Sequence, residues 1–319
     1  AFAAAVLNTW KHFAVPAFTP VLLNVSFIVC ILALTPFMTE PVWALAVAVI
    51  GGGVLQLGTQ LAALKRLGVF PKMTSPAAAL RDSKVRQTLK LMLPAVVGVS
   101  VAPLSILINT NIASRLSDGA VTWLSYADRL MEFPTAMLGV ALGTVLLPSL
   151  ASAFNRGELE RYNGLLDRGL RLVVLLAVPA AVGLWFCAEL LAAVLFQGKN
   201  FTATDVLQTS VAIEGYAAGL LGLIGIKIIA PAFYARKDIK TPVKAALASV
   251  VFVQTCNLVT VPQFAHAGLA LSVALGACFN ALVLLSVLLK RGWFKPLSGW
   301  GLYFGRTALA AAAMGAVLW

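Results

Sequence analysis

Apolar residues recur along this chain in blocks of about 20, the length a helix needs to cross about 30 Å of hydrocarbon. The blocks predict nine membrane-spanning helices, at 19–37, 42–64, 91–113, 121–150, 169–196, 207–233, 243–261, 267–289 and 301–319. A short helical stub at 1–10 precedes them. Several blocks exceed 25 residues, which implies tilt, a kink or extension beyond the bilayer. Pro94, Pro103, Pro134, Pro179 and Pro231 lie inside the blocks, and each removes a backbone donor and bends or breaks its helix. "GVALG" (Gly139 to Gly143) and "GYAAG" (Gly215 to Gly219) allow close helix approach. The fold class that follows is all-α, a polytopic helical membrane protein.

Composition agrees. Of the 319 residues, 60% are hydrophobic and 11% charged, where soluble domains carry about 25% charged residues. Mean hydropathy is +0.92. The net charge of +12 becomes informative only when its residues are mapped onto alternate loops. Nineteen Lys and Arg fall on one side: Lys11, then residues between 65 and 90, 156 and 171, 236 and 244, and 290 and 295. The other side holds Arg115 and Lys199. The positive-inside rule makes the first side cytoplasmic. The basic run "RDSKVRQTLK" then reads as a topology signal, with anionic headgroups as a lesser option and nucleic acid set aside. Trp10, Trp43, Trp123, Trp293 and Trp300 lie near predicted span ends, as interfacial belts do; Trp185 does not fit that pattern. The chain starts at Ala1 and stops within an apolar run at Trp319. We expect it to be an internal piece of a longer protein.

Enzyme signals are poor. Cys30, Cys187, Cys256 and Cys278 lack disulfide or metal spacing and sit in apolar runs. His12 and His266 are expected on opposite sides, and no HExxH, GxSxG or GxxxxGK[ST] motif occurs. No catalysis, cofactor or confident metal site is expected.

The stretch "WLSYADRLMEFP" puts Asp128, Arg129 and Glu132 inside a predicted span. Arg129 would lie about 12 Å deep at about 1.5 Å per residue. A charge near the bilayer centre costs at least about 2.5–3.5 kcal/mol. The i,i+3 and i,i+4 spacings crowd all three onto one helical face, so that face should meet protein or a wet cavity. Pro134 cannot donate to the carbonyl of Leu130, which bends the helix beside the cluster. Two readings stand. One is a structural ion pair; the other is a cavity wall whose guanidinium suits a phosphate-bearing substrate. Lys227 is expected as a second buried cation that can snorkel, and Arg306 as one that snorkels more easily. Asn109, Asn111, Gln254, Asn257 and Asn280 read mostly as interhelical hydrogen bonders, with cation or sugar contacts as a minority role.

"SYADRLMEFPTAMLGVALGTVLLPSLA", "LNTWKHFAVPAFTPVLLN", "GGVLQL" and "APAFYARKDIKTPVK" closely resemble the MurJ (MviN) lipid II flippases of Gram-negative bacteria. That family sits in the multidrug/oligosaccharidyl-lipid/polysaccharide (MOP) exporter superfamily, beside the MATE antiporters. The resemblance implies a MATE-like fold of fourteen helices, two six-helix lobes around a cavity plus two further helices. On that plan residues 1–64 end the first lobe, 91–289 form the second and 301–319 are an additional helix. The family's first-lobe arginines would then lie outside this sequence. The implied activity is movement of lipid II, an undecaprenyl-pyrophosphate-linked disaccharide-pentapeptide, from the cytoplasmic to the periplasmic leaflet of the inner membrane by alternating access. Asp128, Arg129 and Glu132 match the family's cavity charges, and the peptidoglycan synthesis machinery is an implied partner. Some members bind sodium on the helices equivalent to 91–113, 243–261 and 267–289. Here those helices carry Asn257 and Asn280 but no carboxylate, which favours membrane potential as the driving force. A related polysaccharide-lipid flippase or a drug/cation antiporter is the transport alternative; a membrane scaffold with structural charges is the alternative of another class.

Overall fold

The computed structural model describes residues 2–10, 12–69 and 82–319. Lys11, Lys72 and Arg81, three of the basic positions expected to be cytoplasmic, lie outside the described residues. The described chain is helical, and its one bridge is the isolated Gly198–Phe201 pair. It divides into two compact units, Ala1–Thr88 and Leu89–Trp319.

In the first unit, α1 (Phe2–Thr9), α2 (Ala14–Leu34) and α3 (Val42–Arg66) occupy the stub and the first two predicted spans. A single 3₁₀ turn, Thr35–Phe37, closes α2. Ala44, Ala48 and Gly52 recur every fourth residue and bury one stripe of α3. Small side chains let α2 approach closely there: a Cβ on Gly52 would come within 2.6 Å of Leu23 Cδ1. Ser26 donates to the Ala48 carbonyl at 2.8 Å, so even the hydroxyls of this seam are satisfied. The outward faces carry Ile28, Leu32, Ile50 and Val54, which suits a lipid environment.

The second unit takes in α4 (Ser83–Ala113) from Leu89 onward; α4 leads into α5 (Ala120–Pro134), which runs through a π-helical turn, Thr135–Val140, into α6 (Ala141–Asn155). Then follow α7 (Leu159–Phe186), α8 (Ala188–Phe196), α9 (Ala203–Ala217), α10 (Leu220–Ala235), α11 (Lys240–Lys290) and α12 (Trp300–Leu318). The core is built by Leu150, Tyr162, Leu166, Ile213, Ile224 and Leu284 with their neighbours.

Two expected spans are broken. The block 169–196 divides at Cys187, and its first helix begins ten residues earlier than predicted, at Leu159. That extension carries Arg161 and Arg168, charges a hydropathy window excludes; Glu158 holds Arg161, and Asp167, also in the extension, holds Arg171 one turn on. The block 207–233 is a pair of helices bent by 43°. At the bend, Gly219 and Gly222 lie against the backbone of α11 at Ala274 and Cys278, where no side chain fits. Conversely, 243–261 and 267–289 form one helical run of 51 residues, folded back at Ala265 (φ 48°, ψ −127°). Buried hydroxyl bonds join its two arms: Ser249 to the Gly276 carbonyl at 2.6 Å, and Thr260 with Ser272 at 2.7 Å. Among the described residues, five helices are long and apolar enough to cross a membrane, six with the bent pair. The doubled α11 counts once in that figure and makes two crossings by its fold.

Loops predicted to share a side meet in space. Asp238, after α10, pairs with Arg291, after α11, at 2.6 Å. Asn163 and Asp167 at the start of α7 hold the backbone of Lys295 and Leu297. Arg236 stacks on Phe154, Tyr162 and Trp293. At the other end Trp123, Asp205 and His266 come together. Burial opposes the charge on Asp238, but hydrogen bonds from Thr241 and Arg291 outweigh it and hold the carboxyl below its ordinary range.

Candidate functional site

The charge-bearing helix α5 starts from Gly119, whose φ of 95° favours glycine. The Trp123 ring packs against that glycine and its Nε1 donates to Asp205 at 2.8 Å, tying α5 to the first turn of α9. His266 packs against the same indole, tilted by 56° with ring centres 5.0 Å apart, and bonds the Gln208 carbonyl through Nε2 at 2.8 Å. At the far end of α5, Pro134 leaves one carbonyl without its helical donor. That carbonyl is Leu130's; the next one, of Met131, accepts from both the backbone N–H and the Oγ1 of Thr135, the latter at 2.9 Å, and the π turn follows directly, a recurrent geometry at functional sites.

The three predicted charges separate into two arrangements. Arg129 Nη1 pairs with Glu132 at 3.0 Å, with side chains 75% and 56% exposed. An exposed i,i+3 pair of this kind contributes little to stability, about 0–1 kcal/mol. Asp128 stands apart from that pair. It is half-buried, and its carboxylate makes no hydrogen bond or ion pair among the described residues. It lines a mixed pocket of about 190 Å³ with Asn109 and Thr110 of α4, Ser125 of α5 and Tyr216 of α9, whose other walls are apolar, among them Ile106, Leu124 and Leu269.

Asn109 accepts from Gln254 at 3.2 Å and from Asn257 at 3.0 Å, so the expected interhelical amide network forms between α4 and the first arm of α11. Asn257 also donates to Gln254 at 3.1 Å, while its own Oδ1 is buried without a partner. Asn280 Oδ1 is likewise buried and unpartnered, and no hydrogen bond connects it to Asn257. Among the described residues no group of three or more His, Cys, Asp or Glu is placed to hold a metal ion. Lys227 corrects an expectation: it is exposed on α10 instead of buried, because Ile224 and Ile228 take the inward face of that turn. An apolar groove of about 480 Å³ lies between α7, α10, the second arm of α11 and the start of α12, and no charged side chain lines it.

Sequence reasoning missed Tyr216, Ser125 and Thr110, which reach the pocket only because three helices converge there. It also missed Asp167, which is 1% exposed and accepts from Arg171, Leu297 and Trp300. The i,i+4 spacing of Asp167 and Arg171 was the available signal.

The family model described as lipid II flippase MurJ matches residues 1–319. The chain belongs to the MurJ family. A lipid II flippase MurJ of Burkholderia cenocepacia is 50% identical over 317 residues, covering 99% of this chain and 61% of the relative. A probable lipid II flippase MurJ of Haemophilus influenzae is 40% identical, covering 100% of this chain and 63% of its own length. This chain thus spans about three-fifths of these MurJ relatives. Among solved structures, a lipid II flippase MurJ in an inward closed conformation superposes with a TM-score of 0.82 at 22% identity, over 99% of this chain and 63% of that one. The Vibrio cholerae MATE transporter VcmN superposes with a TM-score of 0.59 at 15% identity, over 91% and 66%. The fold is that of MurJ and, more distantly, of MATE transporters. With its apolar helices, membership of this transporter family makes the chain part of a multi-pass protein of the bacterial inner membrane.

Proposed function

We propose that this chain is the larger part of a lipid II flippase, which carries the undecaprenyl-pyrophosphate-linked peptidoglycan precursor from the cytoplasmic to the periplasmic leaflet by alternating access. The observation that carries the reading is the family match along all 319 residues, with half of them identical to the Burkholderia cenocepacia flippase. On this reading 91–289 form one lobe, 1–64 end the other and 301–319 are an additional helix. The work is transport without catalysis, and the peptidoglycan synthesis machinery is its partner.

Arg129 is the residue on which the chemistry turns. Its guanidinium is 75% exposed and, among the described residues, held only by Glu132, so a diphosphate can replace that carboxylate with two parallel charged hydrogen bonds. Glu132 keeps the guanidinium oriented between loads. Moving a net negative headgroup outward runs downhill in a membrane whose interior is negative, by about 2.3 kcal/mol per charge per 100 mV. No observation favours the drug/cation antiporter.

The test measures leaflet accessibility of lipid II in cells whose intact protein carries Arg129→Lys or Arg129→Ala, with an immunoblot of each. Both variants should insert at normal levels and fail to move lipid II, because an ammonium cannot supply the fork. Normal flipping by Arg129→Lys would return Arg129 to architecture.

A further inference from the structure

Arg129 does not stand alone on its helix face. The exposed stripe of α5 carries Thr122, Ser125, Tyr126, Arg129 and Glu132, while Ala120, Ala127 and Met131 are buried on the other side. A face that bears an ion pair and hydroxyls is one that lipid does not cover, so this stripe meets water or the substrate. Tyr126 lies three residues before Arg129, on the same face and about 4.5 Å along the helix axis at about 1.5 Å per residue. A sugar bonded directly to a diphosphate spans that separation.

The Tyr126 ring is held in place in advance. Phe196, the last residue of α8, packs against it with ring centres 4.5 Å apart and a tilt of 37°, and Phe201 meets it edge-on at 5.3 Å. Phe201 is fixed in turn by the two backbone bonds it exchanges with Gly198, at 3.1 and 3.3 Å. Rings from α5, α8 and the turn before α9 thus build a rigid platform. It is not closed over, because Tyr126 remains 36% exposed and its hydroxyl makes no hydrogen bond among the described residues. A tyrosine of the interfacial belt would turn toward lipid; this one shares its face with Arg129 and Glu132. An aromatic ring with a negative π-face and a free hydroxyl suits a pyranose. The sugar's C–H groups lie on the ring, and its hydroxyls meet the phenol, which can donate or accept.

We propose that Tyr126 is the platform for the sugar bonded to the diphosphate, so that α5 reads a lipid-linked carbohydrate through Arg129 and then Tyr126. The inference rests on the transport reading and deepens it. Arg129 recognises any diphosphate, whereas Tyr126 selects a lipid that carries a hexose next to it. The direction agrees with the loop charges, which put the start of α5 on the periplasmic side. A headgroup that enters from the cytoplasm and rests its diphosphate on Arg129 has its sugars ahead of it, toward Tyr126.

The experiment is equilibrium binding of radiolabelled lipid II and of undecaprenyl pyrophosphate to the purified intact protein in nanodiscs, with a thermal melt of each variant. The parent should hold lipid II more tightly than undecaprenyl pyrophosphate by at least about threefold to tenfold, the worth of one ring contact. Tyr126→Leu should lower lipid II affinity by that factor and leave undecaprenyl pyrophosphate affinity as it was, whereas Tyr126→Phe keeps both. Arg129→Ala should weaken both lipids alike. Equal affinity of the parent for the two lipids overturns the proposal without any variant. So does a Tyr126→Leu protein that keeps the parent's preference, or one that weakens both lipids in step with a lowered melting midpoint, since the ring then only packs. Each of these results leaves the transport reading in place, because Arg129→Ala still loses both lipids. A folded parent that binds neither lipid removes that reading, and this proposal with it.

Discussion

Replacing Asp167 with alanine should loosen α12 from α7, and the size of the effect can be worked from three bonds. The carboxylate is 1% exposed; Oδ1 accepts from Leu297 N at 3.0 Å and Trp300 Nε1 at 2.8 Å, while Oδ2 accepts from Arg171 Nε at 2.7 Å. Alanine removes both acceptor oxygens and with them all three bonds. The Leu297 amide and the Trp300 indole each lose a charged acceptor worth about 1.5–3 kcal/mol, so about 3–6 kcal/mol together. Arg171 adds little to this loss. It is 24% exposed, keeps the Ser298 carbonyl at 2.9 Å and lies over the rings of Trp300 and Tyr303. Asparagine is the discriminating variant, because its single carbonyl oxygen can occupy the Oδ1 position and keep both of the other donors. Its cost should be about 1–2 kcal/mol, the loss of one charge-assisted bond to a residue that water reaches. Beyond this clamp, α12 is held largely by the small stripe Thr307, Ala311 and Gly315. Undocking should therefore start at its first turn. Limited proteolysis of the linker 291–299 and thermal melting of the intact protein in detergent read it out. Equal stability of Asp167→Ala and Asp167→Asn, or parental proteolysis of the alanine variant, would refute the reasoning.

Gly222→Ala places a Cβ 2.5 Å from Cys278 N and 2.7 Å from the Ala277 carbonyl carbon, both backbone atoms. It should cost about 1–3 kcal/mol in a melt, whereas Gly164→Ala, with nothing within 4 Å, should not destabilise. Asp238→Asn should show a pH-dependent deficit. The folded carboxyl lies below its ordinary value, so its contribution is complete above the unfolded value of about 3.9 and fades as pH falls through the lower folded value. Melting midpoints of parent and variant should then differ at neutral pH and converge in strong acid; a constant gap would contradict the pairing with Arg291. An impermeant thiol reagent outside the cell should label Lys199→Cys and spare Lys237→Cys; the reverse pattern would invert the topology.

Hydropathy read the helices well because lipid and core both demand apolar side chains, and a window sees only that. It could not see the breaks. At Cys187 the composition stays apolar on both sides, so nothing in an average marks the end of α7. The bend at Gly219 was half-legible, since "GYAAG" announced a close approach without saying that α11 would supply the backbone pressed against it. The early start of α7 was hidden for the opposite reason: Arg161 and Arg171 look like loop charges until Glu158 and Asp167 are seen to hold them on the helix.

The same distinction separates what was readable in the charge cluster from what was not. Helical spacing correctly put Arg129 within reach of Glu132, because i,i+3 geometry is local and needs no tertiary knowledge. Spacing also put Asp128 on that face, yet its carboxylate turns to a different environment, a pocket completed by residues 18–19 positions upstream on α4 and 88 positions downstream on α9. Such a pocket depends on Trp123 fixing α5 against Asp205, a contact between residues 82 positions apart. Local rules therefore recover which side chains can pair along one helix. Which of them stays unpaired is decided by the helices that pack around it.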